Sequence, residues 1–212
     1  MGIVSKEEFG EIIEAIHQIC LFGWDHWRIW RQMHDFAVTD NESANYSPAF
    51  YQMTMEAHQN CAILSVYKLF DTDRRSFNML KLLDLVSSNL NLFDFAKYGI
   101  IVDDELQNHR AQLEEIKRHA NKVIVWRHKK VAHFDIEYMK SNGKMLDELS
   151  FTVGDFEEIL QVSHSIMNAY STYALDYSYA LGSINNDDFE TLMQYAMKGH
   201  NAFVEDIEKS RR

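Results

Sequence analysis

Hydrophobic residues recur at steps of three and four along most of the chain, which is the period of an amphipathic α-helix. The first run of this kind includes Phe9 and Ile12, and a Ser-x-x-Glu capping box from Ser5 to Glu8 precedes it. We predict a long first helix that ends near residues 36–38, because the polar stretch TDNESANYSP follows.

Five further helices are predicted from the same period and from residues suited to cap a helix. The second helix covers 48–70 and the fourth covers 103–134. The third is capped by Ser76 and ends at residue 90, and the fifth is capped by Thr152 and Asp155 and ends at residue 181. The sixth begins at 185–187 and ends at residue 210. One proline and eight glycines are too few for the many turns of a β fold. The sequence therefore predicts an all-α fold, a single helical bundle of about five or six helices that occupies residues 1–212 as one domain.

The formal net charge of −11 opposes nucleic-acid binding over most of the surface, because carboxylates and phosphates repel each other. We find no apolar stretch of about 18 residues and no signal-peptide pattern, so we expect a cytoplasmic protein with no membrane partner. No zinc spacing or phosphate-binding glycine loop occurs, and we expect no cofactor. The scattered His26, His34, His58, His164 and His200 are interpreted as surface or hydrogen-bonded core histidines.

The segment VWRHKKVAHFD, residues 125–135, departs from the acidic balance of the chain. Between Lys117 and His133 there are six lysine or arginine residues and no acidic residue. A solvated helix face whose bases suit the helix dipole is one explanation. On a straight α-helix, at about 100° per residue, Arg127, Lys130 and His133 would share one arc. A phosphate held by Arg127 would then bring a neighbouring sugar hydroxyl near His133.

These residue types suit cleavage of RNA without a metal ion. Arginine holds phosphate oxygens through two hydrogen bonds, and histidine gives or takes a proton near neutral pH. The reaction needs a base for the 2′-hydroxyl, an acid for the leaving oxygen, and positive charge near the phosphate. One segment supplies half of an acid–base pair, and a two-fold dimer would supply the second half.

Arg127, the polar His128 and His133 resemble the Arg-x(4–6)-His motif of the HEPN superfamily, the higher eukaryotes and prokaryotes nucleotide-binding domains. The string RHKKVAHFD and the stretch from Val66 to Asp84 are similar to the abortive-infection and toxin-like branch of that superfamily. The resemblance implies a compact helical bundle that dimerises through the motif helix. It also implies metal-independent endoribonuclease activity, with Arg127, His128 and His133 as catalytic residues.

The resemblance also implies a set of partners. The substrate is RNA, the products carry a 2′,3′-cyclic phosphate, the protein is a homodimer, and a nucleotidyltransferase-type antitoxin accompanies some members. We also expect four residues near the motif to bind substrate: Lys122, Lys129, Lys130 and Asp135. Asp135 could fix the tautomer of His133 or cap the end of the helix, and both possibilities stay open. Two alternatives stay open, a catalytically inactive module of this fold that binds a nucleotide or RNA, and a protein-interaction module.

Overall fold

The computed structural model describes residues 2–39, 47–132, 150–182 and 188–211, and for residues 130–132 it describes the backbone alone. These ranges hold the following α-helices: α1 (Lys6–Thr39), α2 (Pro48–Phe70), α3 (Met79–Ser88), α4 (Val102–Trp126), α5 (Val153–Leu175) and α6 (Asp188–Ser210). A π-helix over Arg127–Ala132 follows α4, and short 3₁₀ helices cover Leu90–Leu92 and Ala96–Tyr98. The described residues contain no strand, and the all-α prediction is confirmed.

The chain forms two compact units. The first contains Met1–Trp24 and Asn60–Gly182, and the second contains Asp25–Gln59 and Ser183–Arg212. The prediction of one domain over residues 1–212 stays a prediction. None of the helices that the structure describes is long and apolar enough to cross a membrane.

Two helices begin at the capping boxes that the sequence predicts. At the start of α1, the backbone N–H of Ser5 donates to a Glu8 carboxylate oxygen at 2.7 Å, and the N–H of Glu8 donates to the Ser5 hydroxyl at 3.1 Å. At the start of α5, Thr152 and Asp155 exchange the same pair of bonds at 2.8 and 3.0 Å. Both boxes satisfy N–H groups that a helix start otherwise leaves unpaired.

The cap of α3 differs from the predicted one. Asn78, not Ser76, is the residue before the helix, and its side-chain oxygen accepts from the backbone N–H of Lys81 at 2.9 Å. Asparagine is as good a cap as serine, so the sequence alone did not rank the two. The Ser76 hydroxyl instead donates to a carboxylate oxygen of Asp71 at 2.6 Å. The prediction of a Ser76 cap is therefore wrong.

Helix α5 ends earlier than predicted. Asp176 adopts a left-handed conformation with φ 67°, and its backbone N–H donates to the carbonyl of Thr172 at 3.1 Å. Aspartate tolerates this conformation better than most residues, and a residue in it closes a helix. The Asp176 carboxylate also accepts from the Lys97 ammonium at 2.6 Å. The helix therefore stops at Leu175 rather than at residue 181.

The core of the first unit forms where α4 packs along α5. Leu113 and Val123 of α4 and Phe156 of α5 are almost wholly buried in it. The Tyr170 hydroxyl and the Nδ1 of His109 lie 2.9 Å apart inside this contact. A buried hydrogen bond of this kind fixes how the two helices align, because both groups would otherwise lose water without replacement.

A second buried polar group in the first unit is a histidine pair. The rings of His17 and His164 lie 5.6 Å apart, and the two residues are 7% and 6% exposed. The Nε2 of His164 is buried without a hydrogen-bond partner among the described residues. Burial and the nearby His17 together lower the pKa of His164 to about 4. His164 is therefore not the fully hydrogen-bonded core histidine that we expected.

Candidate functional site

The basic segment singled out in the sequence changes its helical type at Arg127. The backbone N–H of Arg127 still bonds to carbonyls of α4, at Val123 and Ile124, but residues Arg127–Ala132 form a π-helix. Hydrogen bonds in a π-helix run from residue i to i+5, so each turn holds more residues than an α-helical turn. The straight α-helix predicted through Phe134 is therefore wrong over Arg127–Ala132, and the arc calculated at about 100° per residue does not apply to that segment. Single π-helical turns are rare and occur frequently at functional sites.

The Arg127 guanidinium stacks on an aromatic ring. Its central carbon, Cζ, lies 4.3 Å from the centre of the Tyr67 ring, which α2 supplies. A guanidinium within about 6 Å of a ring face is attracted by the negative charge of that face. The Nε of Arg127 is buried and has no hydrogen-bond partner among the described residues. The contact thus fixes the plane of a charged group that keeps one donor unused.

His128 contacts the same two side chains. An Nη1 of Arg127 lies 3.2 Å from the Nδ1 of His128. Arginine can only donate, so Nδ1 accepts in this contact and Nε2 carries the proton of the neutral ring. The His128 ring meets the Tyr67 ring edge to face, with centres 5.7 Å apart and an interplanar angle of 87°. Arg127, His128 and Tyr67 therefore form one cluster, which we call the Arg127 cluster.

Asp71 supplies negative charge near the Arg127 cluster. Its carboxylate accepts from the Ser76 hydroxyl at 2.6 Å and from the backbone N–H of Asp73 at 3.0 Å. The Ser76 bond is the main reason that the pKa of Asp71 lies below its usual range, and the Asp73 bond adds to it. The Tyr67 hydroxyl and the positive charge of Arg127 lower this pKa further. Asp71 is therefore held in its charged form beside a cation.

The predicted substrate-binding lysines differ in their contacts and in how much of each the structure describes. Lys122 donates from its ammonium to the carbonyl of Ser150 at 3.0 Å, which ties α4 to the residues before α5. Lys129 is half-buried in the π-helix. Only the backbone of Lys130 is described, and the predicted His133 and Asp135 lie outside the described residues. The structure thus brings Arg127 and His128 together, and the roles assigned to the other residues stay predictions.

Sequence reasoning missed Tyr67 and Asp71 as members of the site. They lie 60 and 56 positions before Arg127, and neither periodicity nor residue type connects positions so far apart. One signal was present, because the stretch from Val66 to Asp84 resembles the abortive-infection branch and contains both residues. The structure gives this stretch a physical role, since its Tyr67 ring stacks on the guanidinium and its Asp71 carboxylate interacts electrostatically with Arg127.

A separate group of side chains has the composition of a metal site. His119, Asp155 and Glu158 bring one possible ligand atom each to within 4.8 Å of one another. The Nδ1 of His119 lies 3.2 Å from an Asp155 carboxylate oxygen, while its Nε2 accepts from the Nε of Arg118 at 3.0 Å. With Nε2 accepting, Nδ1 carries the proton and faces Asp155.

That proton arrangement opposes binding of a cation by the His119 group. A metal at Nδ1 would require Nε2 to carry the proton and Arg118 to move away. The backbone N–H of Thr152 is the main reason that the pKa of Asp155 is lowered, and the positive charge of Lys122 adds to it. That charge and the positive end of α5 also oppose a bound cation. The group is better described as a close polar contact between α4 and α5, in which the Nδ1 of His119 lies 3.2 Å from the Asp155 carboxylate. We assign no metal to it.

The comparisons with known proteins agree with the resemblance found in the motif. Searches found no matching curated protein and no matching solved structure. A family model described as HEPN_AbiU2: AbiU2 matches residues 6–192, which include the Arg127 cluster and most of both units. The chain therefore belongs to the AbiU2 family, a HEPN-type abortive-infection family.

Proposed function

We propose that this abortive-infection protein is a metal-independent endoribonuclease. The observation that carries the proposal is the Arg127 cluster, in which a guanidinium is held in place beside an imidazole on a π-helix. Arginine has five N–H donors. Among the described residues, a donor on Nη1 contacts His128, and the Nε donor is buried, which leaves donors on Nη1 and Nη2. The remaining donors suit the non-bridging oxygens of a phosphodiester.

The residues would divide the chemistry as follows. Arg127 binds the scissile phosphate and stabilises the negative charge that develops on it. His133 moves the proton of the 2′-hydroxyl or of the leaving oxygen. His128, whose Nδ1 accepts from Arg127, keeps the guanidinium oriented. Attack of the 2′-oxygen on phosphorus expels the 5′-oxygen of the next nucleotide and leaves a 2′,3′-cyclic phosphate.

Charge supports RNA contact at this segment rather than elsewhere. The chain carries a net charge of −11, yet residues 117–133 contain six lysine or arginine residues and no carboxylate. Phosphate binding is therefore local, and it weakens steeply with added salt because counterions compete for the same few cations. A homodimer that joins two such segments would complete the acid–base pair, and it forms part of this proposal, as do a nucleotidyltransferase-type antitoxin and a cytoplasmic location.

Incubation of the purified protein with total RNA in EDTA tests the proposal. We expect cleavage by the wild-type protein, with 3′ ends that accept a poly(A) tail only after removal of a cyclic phosphate. Arg127→Ala and His133→Ala should each abolish cleavage. Arg211→Ala removes an exposed arginine near the end of α6 and serves as the matched control. Cleavage that stops in EDTA, or that survives Arg127→Ala, would refute the mechanism.

The alternative of a catalytically inactive module gives a different result in the same assay. Under it, the wild-type protein binds labelled RNA and leaves it intact, and Arg127→Ala weakens binding alone. A protein-interaction module would bind no RNA, and Arg127→Ala would change only the molar mass measured by light scattering. The three candidate functions are therefore separated by cleavage, RNA binding and molar mass.

A further inference from the structure

The ring of Tyr67 contacts both Arg127 and His128 from a different helix, α2. Arg127 lies over the ring face at 4.3 Å, and His128 meets the ring edge to face at 5.7 Å. We infer that Tyr67 is a positioning residue of the proposed nuclease, which orients the guanidinium and imidazole for the phosphodiester. The inference rests on the proposed function, because it assigns a role within that reaction.

An arginine needs such a partner if it is to stabilise a transition state. Its long side chain samples many rotamers in water, and each wrong rotamer takes the donors away from the phosphate. Catalysis gains most from charges that are already oriented when the reaction begins. The face of Tyr67 restricts the guanidinium to one plane, and the bond to His128 Nδ1 restricts its rotation within that plane.

Asp71 strengthens this arrangement from the end of α2. It is placed four residues after Tyr67, and the Tyr67 hydroxyl is among the groups that favour its charged form. The Asp71 carboxylate is itself fixed by Ser76 and by the backbone of Asp73. The ring is thus carried by the backbone of α2, and the carboxylate whose charged form its hydroxyl favours is anchored by the loop. Asp71 therefore acts through Tyr67 and through its charge on Arg127.

Two substitutions of Tyr67 separate the role of its ring from the role of its hydroxyl. Tyr67→Leu removes the aromatic face and keeps an apolar side chain, whereas Tyr67→Phe keeps the face and removes only the hydroxyl, which favours the charged form of Asp71. We expect Tyr67→Leu to lower kcat for RNA cleavage in EDTA by about 10- to 100-fold, the loss typical of a misplaced catalytic group. RNA affinity, measured by fluorescence anisotropy, should stay within about twofold, because the ring contributes no charge to phosphate binding. Tyr67→Phe should recover kcat to within about threefold of the wild-type value.

A matched control comes from a second tyrosine that lies beside a cation. The Lys198 ammonium lies 5.7 Å from the ring centre of Tyr195 in α6, and Tyr195 is exposed. Tyr195→Leu removes a stacked ring of the same type away from the Arg127 cluster, and we expect it to leave kcat unchanged. Melting temperatures of all variants show whether each protein is folded under the assay conditions.

A measurement that does not require turnover completes the test. The Nε–Hε signal of Arg127, identified by its loss in Arg127→Lys, should be shifted upfield by the Tyr67 ring current. That shift should persist in Tyr67→Phe and disappear in Tyr67→Leu. The effect of Tyr67→Leu on kcat should also vanish when Arg127 is already replaced by lysine, because the two residues act as a unit.

The outcomes distinguish this inference from the proposed function. If Arg127→Ala is inactive and Tyr67→Leu cleaves like the wild type, the positioning role is wrong and the nuclease proposal stands. If Tyr67→Leu weakens RNA binding and leaves kcat unchanged, Tyr67 contacts substrate and the inference is again wrong. If the wild-type protein does not cleave RNA, the proposed function fails and the positioning role fails with it. A selective loss of kcat that Tyr67→Phe reverses supports both.

Discussion

Gly23→Ala is expected to destabilise the first unit although it improves the helix propensity of α1. A β-carbon at residue 23 would lie 2.7 Å from the Cβ of Ser65 and 3.3 Å from a Cδ2 of Leu160. Carbon atoms in contact prefer about 3.5 to 4.0 Å, so one helix must shift. Ser65 is buried and 2% exposed, and a rigid backbone atom carries its Cβ. The clash therefore cannot be relieved by a change of rotamer.

The change in the free energy of unfolding caused by Gly23→Ala is the difference between two opposing contributions. Overpacking of a buried contact costs about 1 to 3 kcal/mol, and replacement of a mid-helix glycine by alanine returns about 1 kcal/mol. An approach of 2.7 Å belongs in the upper part of that overpacking range, about 2 to 3 kcal/mol, so we expect the free energy of unfolding to fall by about 1 to 2 kcal/mol. For a chain of this length each kcal/mol shifts the melting temperature by about 2 to 4 °C. Gly23→Ala should thus melt roughly 2 to 8 °C below the wild type.

Gly10→Ala on the same helix is the matched control. A β-carbon there would meet a Cδ1 of Leu175 at 3.8 Å, which is an ordinary contact. We expect this variant to be more stable than the wild type by up to about 1 kcal/mol, from helix propensity alone. Urea unfolding followed by circular dichroism measures both variants. In a Ser65→Gly background the cost of Gly23→Ala should largely disappear. A Gly23→Ala protein as stable as Gly10→Ala would refute the close approach of α1 and α2 at Gly23.

Two further predictions concern buried polar groups of the first unit. His164, whose pKa is lowered to about 4, binds its proton more weakly in the folded state than in the unfolded state. Its contribution to the free energy of unfolding is therefore complete above pH 6.5 and is lost as the pH falls toward 4, by about 2 kcal/mol between pH 8 and pH 5. The urea midpoints of the wild type at these two pH values should therefore differ more than those of His164→Asn. An equal difference in the two proteins would contradict this assignment. Tyr170→Phe should lower the free energy of unfolding by about 1 to 3 kcal/mol, because it leaves the buried Nδ1 of His109 without its partner. Tyr195→Phe, at an exposed ring, is its control in the same urea assay, and equal midpoints for the two variants would show that the His109 bond contributes nothing.

The fold class and most helix starts were predictable because they depend on local rules. Three- and four-residue periodicity, scarce proline and the boxes at Ser5 and Thr152 all act within one or two turns. The misplaced boundaries have equally local causes. Asn78 and Ser76 are comparable caps, and the left-handed turn at Asp176 needs no glycine to signal it.

The candidate site was predictable only in part. Arg127 and His128 were identified by residue type and spacing, as charged and titratable groups within a run without carboxylates. Their contact with Tyr67 depends on how α2 meets the end of α4, and that geometry arises from packing rather than from sequence spacing. The π-helix was equally inaccessible, because its residues have no propensity that distinguishes it from an α-helix.

The wider turn at Arg127–Ala132 has a consequence for insertions and deletions. Each hydrogen bond in this π-helix spans five residues, whereas each hydrogen bond in an α-helix spans four. The π-helical turn therefore contains one residue more than an α-helical turn in the same place. Loss of one residue from it would restore ordinary helical winding and leave the chain beyond it facing nearly the same way. The spacer after Arg127 can thus change in length by one residue without reorienting the side chains on either side. Joint action of Arg127 and His133, as proposed above, would therefore not require a fixed number of residues between them.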